Sequence, residues 1–100
     1  MTSPSSTDPW LNRVPVQNQD VAWRMVDEEC IIIVPETSQA TVLNPVGARL
    51  WELSDGKRTV GQIVLALVDE YDVDPKVAED DARDFMEQLA KRGLLSLTSL

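Results

Sequence analysis

The sequence predicts an α+β fold in which a three-stranded antiparallel meander is followed by three helices. Two-residue alternation and β-branched runs mark the stretch from Val21 to Leu43, and three cap-bounded stretches of helical periodicity fill Asn44 to Arg92. The turns between the strands are too short for parallel crossovers, which fixes the meander as antiparallel. With 100 residues, 43% hydrophobic and 26% charged, the chain makes one globular domain. A domain of this size buries roughly two-thirds of the surface its unfolded chain exposes, enough for a core without disulfide staples.

Met1 to Asp20 is rich in Ser, Pro, Thr, Asn and Gln, and only Trp10, Leu11, Val14 and Val16 are able to pack. It is expected to be a flexible leader (residues 1–20), with Trp10-Leu11 as the pair able to dock on the domain at residues 21–97. Val21, Trp23 and Met25 then alternate with Ala22, Arg24 and Val26 as a first strand, stopped by Asp27-Glu28-Glu29. Cys30 to Val34 is almost wholly apolar and β-branched, as a central strand should be, and Pro35-Glu36-Thr37-Ser38 supplies a turn. Gln39 to Leu43 returns as the third strand.

Asn44 caps the first helix with Pro45 at its first position; Val46, Leu50, Trp51 and Leu53 give it apolar surface, and Asp55-Gly56 ends it. Thr59-Val60-Gly61-Gln62 fits a capping box for the second, whose buried face is expected to hold Val60, Ile63, Val64, Leu67, Val68 and Tyr71. Asp74-Pro75 opens the third. Glu79 to Asp81 are expected to complement the positive end of its dipole, and Lys91-Arg92 before Gly93 the other end. Its apolar stripe is Ala78, Ala82, Phe85, Met86 and Leu89. Leu94 to Leu97 either adds a short terminal strand or simply covers the core.

Nine Lys and Arg against seventeen Asp and Glu leave a formal charge of −8, which repels phosphate backbones and anionic lipid heads. Acidity of this kind serves solubility and suits a basic peptide or a basic patch on another protein. Nucleic acid is a poor partner: the third helix would have to enter the major groove, yet it carries Asp74, Glu79, Asp80, Asp81, Asp84 and Glu87 against Lys76, Arg83, Lys91 and Arg92. Met1 to Asp8 lacks the basic start and apolar stretch of a secretory signal, and no run approaches the ~20 apolar residues of a membrane span. A soluble protein of the cytoplasm is expected, with the lone Cys30 a buried inert thiol.

Catalytic equipment is missing. There is no histidine, hence no usual general base, no Ser/His or Cys/His pair and no zinc-binding His cluster. The glycines at 47, 56, 61 and 93 are spaced as turn and cap residues and not as a phosphate-cradling loop. Asp72-Val73-Asp74 and Asp80-Asp81 read as a cap and a solvated face, since a calcium loop needs a glycine at its sixth position and a closing glutamate. No cofactor and no metal are expected. Trp23 and Trp51 lie on apolar stripes and read as core.

The spacing of Ala40-Thr41-Val42-Leu43-Asn44, Gly47, Leu50-Trp51, Asp55-Gly56, Thr59-Val60 and Ile63 resembles that of the PqqD family. So does the second half, with Leu67, Tyr71, Val73, Asp81, Phe85, Leu89 and Gly93-Leu94-Leu95, so that the likeness runs from about Val21 to Leu97. The resemblance implies a winged-helix-like domain without catalytic activity, a recognition element of ribosomally made, post-translationally modified peptides. In the namesake pathway, that of pyrroloquinoline quinone, such a domain presents a precursor peptide to a radical S-adenosylmethionine enzyme; relatives serve other modifying enzymes.

The family binds a leader by strand addition, the peptide lying beside the third strand and under the third helix. By carry-over the strand is Ser38, Gln39, Ala40, Thr41, Val42 and Leu43, and the wall is the third helix. An edge strand offers unpaired backbone groups, so the mode is physically open to this chain. Helical spacing sets Ala82, Phe85 and Leu89 toward the core and leaves two flanks, one with Val77, Asp81 and Gln88, the other with Glu79, Arg83, Met86 and Ala90. Asp81, Asp84, Phe85 and Gln88 are the expected peptide contacts, with Met86 as an adaptable one. The competing reading is a structural or regulatory protein–protein interaction domain of a biosynthetic complex. An exposed edge strand allows a strand-exchanged dimer as well as a monomer.

Overall fold

A computed structural model describes residues 10–34 and 37–98. Met1 to Pro9 of the expected leader and Pro35-Glu36 of the expected turn lie outside the described residues. The elements run β1 (Val14–Gln17), β2 (Ala22–Val26), β3 (Glu29–Val34), β4 (Gln39–Leu43), α1 (Pro45–Leu53), α2 (Val60–Tyr71), α3 (Pro75–Lys91) and β5 (Leu95–Thr98). The meander, the three helices and the closing strand follow the order read from the sequence.

β2, β3 and β4 form one antiparallel sheet with β3 in the middle. Its register pairs Ile32 with Trp23 on one side and Thr41 on the other, and Cys30 with Met25 and Leu43. Because side chains alternate faces, these residues share the face toward the helices, and Cys30 and Ile32 are fully buried there. Burial, and secondarily the Glu52 carboxylate, raises the Cys30 thiol pKa above its ordinary value, as an inert core thiol requires. Arg24, Val26, Ile33 and Val42 lie on the opposite face, which solvent reaches. The two-residue turn from β2 to β3 holds Asp27 in the left-handed region at φ 57°, a conformation that Asp tolerates better than most residues.

Each helix is bounded by the residues expected to bound it. Asn44 Oδ1 accepts from the Gly47 N–H at 2.8 Å, and Asp74 Oδ1 from the Lys76 N–H at 2.8 Å. Thr59 and Gln62 exchange side-chain and backbone bonds as a complete capping box. Glu79 to Asp81, however, lie beyond the first turn of α3, where the dipole's effect has faded, so the Asp74 cap is the carboxylate that serves the helix start. The core is built on Trp51, Ile32, Leu50, Ile63, Leu67, Met86 and Leu94.

Three residues differ from their expected surroundings. Trp23 is 39% exposed and meets the buried Trp51 edge-on, with centroids 6.2 Å apart, because β2 is an outer strand that the helices only partly cover. Tyr71 ends α2 and is 40% exposed where the helix runs past the core. Met86 is completely buried and belongs to the core, not to a surface flank.

The largest difference is at the N-terminus. Within the stretch read as flexible leader, Val14–Gln17 forms a strand antiparallel to β5, pairing Val14 with Thr98 and Gln17 with Leu95. Further bonds staple it to the loop after α1 and the start of α2: Gln17 N–H to Ser54 O at 3.0 Å, Gly56 N–H to Pro15 O at 3.0 Å, and Val60 N–H to Arg13 O at 2.8 Å. Gln17 Nε2 donates to Trp51 O at 2.7 Å. The packed chain therefore begins before Val21, and Trp10 and Leu11 pack against the core. Four residues that include a proline give no local periodicity; their partners lie at the far end of the chain.

Candidate functional site

Two features of the sequence bring β4 and α3 into one neighbourhood. β4 is an edge of its sheet, so among the described residues one side of its backbone has no strand partner. Asn44 ends the strand and caps α1 at once, which sets the first turn of α1 at the end of β4. α3 then runs across that corner. At its C-terminal end the Arg92 guanidinium donates to Thr41 Oγ1 of β4, and further back Phe85 lies against Gly47 of α1.

Between α1 and α3 lies a groove of about 410 Å³ lined by Asn44, Val46, Gly47 and Leu50 on one side and Asp81, Asp84, Phe85 and Gln88 on the other. The four α3 residues are those expected as contacts, and they recur at helical spacing, so one flank of α3 supplies the wall. Arg92, one turn beyond Gln88, continues that flank to β4. The other flank faces away from this groove: Arg83 lies over the Trp10 ring, 5.3 Å from its centroid, and Glu79 lines a separate cleft beside Leu11.

Met86 does not reach the groove. It faces the core, about 100° around the helix from Phe85, and cannot touch a surface ligand without unpacking. The residues Ser38 to Leu43 do not line the groove either; they lead into it. Ser38 sits in the left-handed region at φ 55° before the strand, Val42 is 61% exposed, and Leu43 turns inward to the core. Groove and strand edge thus adjoin at Asn44, and Arg92 at the end of α3 reaches β4 at Thr41.

Gly47 lies inside α1 and serves close packing, not the turn or cap that its spacing suggests. A Cβ at that position would stand 3.2 Å from a Phe85 ring carbon and 3.2 Å from Asn44 Oδ1, so the glycine lets α1 approach α3 closely enough to floor the groove. The α1 residues of the lining had no signal of their own; the Asn44-Pro45 start placed directly after β4 is the feature that points to them. Arg92, beyond its place at the negative end of the helix dipole, links α3 to β4 through Thr41.

The groove is acidic in its titratable groups. Asp84 accepts from Gln88 Nε2 at 3.0 Å, and Asp81 makes no side-chain hydrogen bond or ion pair among the described residues. No lining residue is a cation. Among the described residues no three His, Cys, Asp or Glu side chains converge as a metal site, and no helix is long and apolar enough to cross a membrane.

Solved structures share this fold. TbiB1 in complex with the TbiA(beta) leader peptide is 35% identical, with a TM-score of 0.73 over 81% of this chain and 94% of that one. The PqqD truncation of Methylobacterium extorquens PqqCD, described as a stand-alone recognition element of ribosomally synthesised and post-translationally modified peptides, is 28% identical with a TM-score of 0.69. It covers 83% of this chain and 88% of that one. The lasso peptide synthetase B1 complexed with its leader peptide has the same fold at 16% identity, TM-score 0.74, over 83% of this chain and 98% of that one. No curated protein matches the chain. The family described as coenzyme PQQ synthesis protein D matches residues 29–95. With two-thirds of its sequence inside that match, and a meander, three helices and a closing strand like those of its structural neighbours, the chain belongs to the PqqD family.

Proposed function

We propose that this chain is a non-catalytic recognition element that captures the leader of a ribosomal precursor peptide and delivers it to a peptide-modifying enzyme. The leader adds as a strand along the free edge of β4, from Ser38 to Leu43, and continues into the groove against Asp81, Asp84, Phe85 and Gln88. The observation that carries this reading is that an unpaired strand edge runs into a groove walled by one flank of α3. Backbone pairing gives such a site affinity, and pockets for alternate side chains give it selectivity.

The 35% identical TbiB1 was solved with a leader peptide, which supports leader capture whatever the downstream chemistry. The expected acceptor is a radical S-adenosylmethionine enzyme, as in the namesake pathway, working with this chain in the cytoplasm. A second copy could pair along the same β4 edge, so peptide and strand-exchanged dimer compete for it. The opposite face of the sheet, with Val26, Ile33 and Val42 exposed, supports a second reading in which a protein partner docks directly.

The test is a backbone-amide titration with the TbiA(beta) leader peptide, the ligand of the 35% identical TbiB1. Shifts confined to β4 and to Asp81 through Arg92 are expected. The absence of shifts at near-millimolar peptide would sink leader capture, and shifts on Val26 and Ile33 instead would favour the direct partner.

A further inference from the structure

Beside the groove is a second, smaller opening of about 70 Å³ between the start of α1, the end of α2 and the first turn of α3. Val46, Leu67, Tyr71, Val73, Val77 and Ala78 give it apolar walls. Four of the nine large apolar side chains exposed among the described residues, Val46, Tyr71, Val73 and Val77, surround this one opening. Apolar surface gathered at a pocket is what a binding site shows, whereas single exposed apolar residues scattered over a surface are ordinary. Val46 and Asp81 line both this pocket and the groove, so the two spaces adjoin.

We propose that the chain selects leaders in which an aliphatic side chain, seated in the pocket bounded by Val46, Tyr71, Val73 and Val77, stands next to a Lys or Arg that meets Asp81. The inference rests on leader capture and adds a sequence preference to it. Size sets the anchor: a cavity of roughly 150 Å³ takes a benzene ring, so an opening of about 70 Å³ seats a Val side chain or the end of Leu, Ile or Met and excludes an indole. Charge sets its neighbour. Asp81 stands at the junction of pocket and groove without a partner of its own, Asp84 lies one turn further along the same wall, and no cation lines either space. The nearest basic side chain on that flank, Arg92, is engaged by Thr41 at the far end of α3.

The experiment pans a phage-displayed library of random dodecapeptides on the full chain, then measures selected peptides by anisotropy and by backbone-amide shifts. The expected selection carries an aliphatic residue within two or three positions of Lys or Arg. Replacing that aliphatic residue by Ala weakens binding about tenfold or more, as loss of one buried aliphatic side chain requires. Val77→Asp erases that difference, and so does Val77→Phe, which plugs the pocket without adding charge. Both substitutions fall on an exposed position of the first turn of α3, and amide fingerprints verify that the variants fold. Asp81→Lys shifts selection toward acidic neighbours. Peptides that shift Gln39 to Leu43 but lack the aliphatic-cation pair, or bind the Val77 variants unchanged, overturn this inference and leave leader capture standing. Peptides that bind without moving Gln39 to Leu43 overturn both.

Discussion

Phe85 and Met86 are chain neighbours about 100° apart on α3, and that angle separates a groove residue from a core residue. Met86→Ala is expected to cost about 2–5 kcal/mol in urea denaturation, whereas Val42→Ala, at an exposed position, stays within about 0.5 kcal/mol. Phe85→Ala should cost less stability than Met86→Ala but reduce leader binding more. The sequence grouped both residues in one apolar stripe, because a stripe shows which side of a helix is buried and not where its border falls. Asp81 and Gln88 were legible as one flank, but Gly47 was not: the close approach it permits involves Phe85, 38 positions away in the chain. A residue-scale pH effect follows from the bidentate Arg49–Glu70 pair, with both bonds at 2.8 Å. The Arg49 hydrogen bond holds the Glu70 carboxyl below its ordinary value of 4.5. A depressed folded-state pKa contributes stability that is complete above the unfolded value and is lost as pH falls through the folded one. The pair is a third exposed, so the contribution is about 1 kcal/mol or less. Glu70→Gln should remove that part of the acid sensitivity below about pH 4.5, read from melting temperature against pH.

Elements differ in how local their signals are. The helices announced their starts in adjacent residues, and Asp74→Ala is expected to cost about 1 kcal/mol by removing the bond to the Lys76 N–H, measured by chemical denaturation. The meander was readable for the same reason, since alternation and turns are short-range features. β1 was not, because four residues with a central proline become a strand only when β5 and the loop after α1 supply partners. Its loss is correspondingly expensive: truncation through Gln17 leaves β5 unpaired and removes the cover from Trp51 O, and should lower stability by several kcal/mol. The Arg92–Thr41 bond is the one link among those described that ties the end of α3 to the strand edge, so Arg92→Ala should widen the α3–β4 corner and weaken leader binding severalfold with little change in melting temperature.

At the scale of the whole molecule, a formal charge of −8 and a groove without cations favour a basic ligand. Affinity for a basic leader should therefore fall severalfold as salt is raised from about 0.15 M toward 1 M, where the screening length shortens from about 8 Å to about 3 Å. The fold reserves one strand edge and one helix flank for each other, and the central claim is that a leader completes them as an added strand. Intermolecular nuclear Overhauser effects between a labelled leader and the unlabelled chain test that claim most directly. Contacts are expected from leader backbone protons to Gln39 through Leu43 in the two-residue alternation of a paired strand, with side-chain contacts to Phe85 and Gln88. Leader contacts confined to the helices, with β4 untouched, would contradict it.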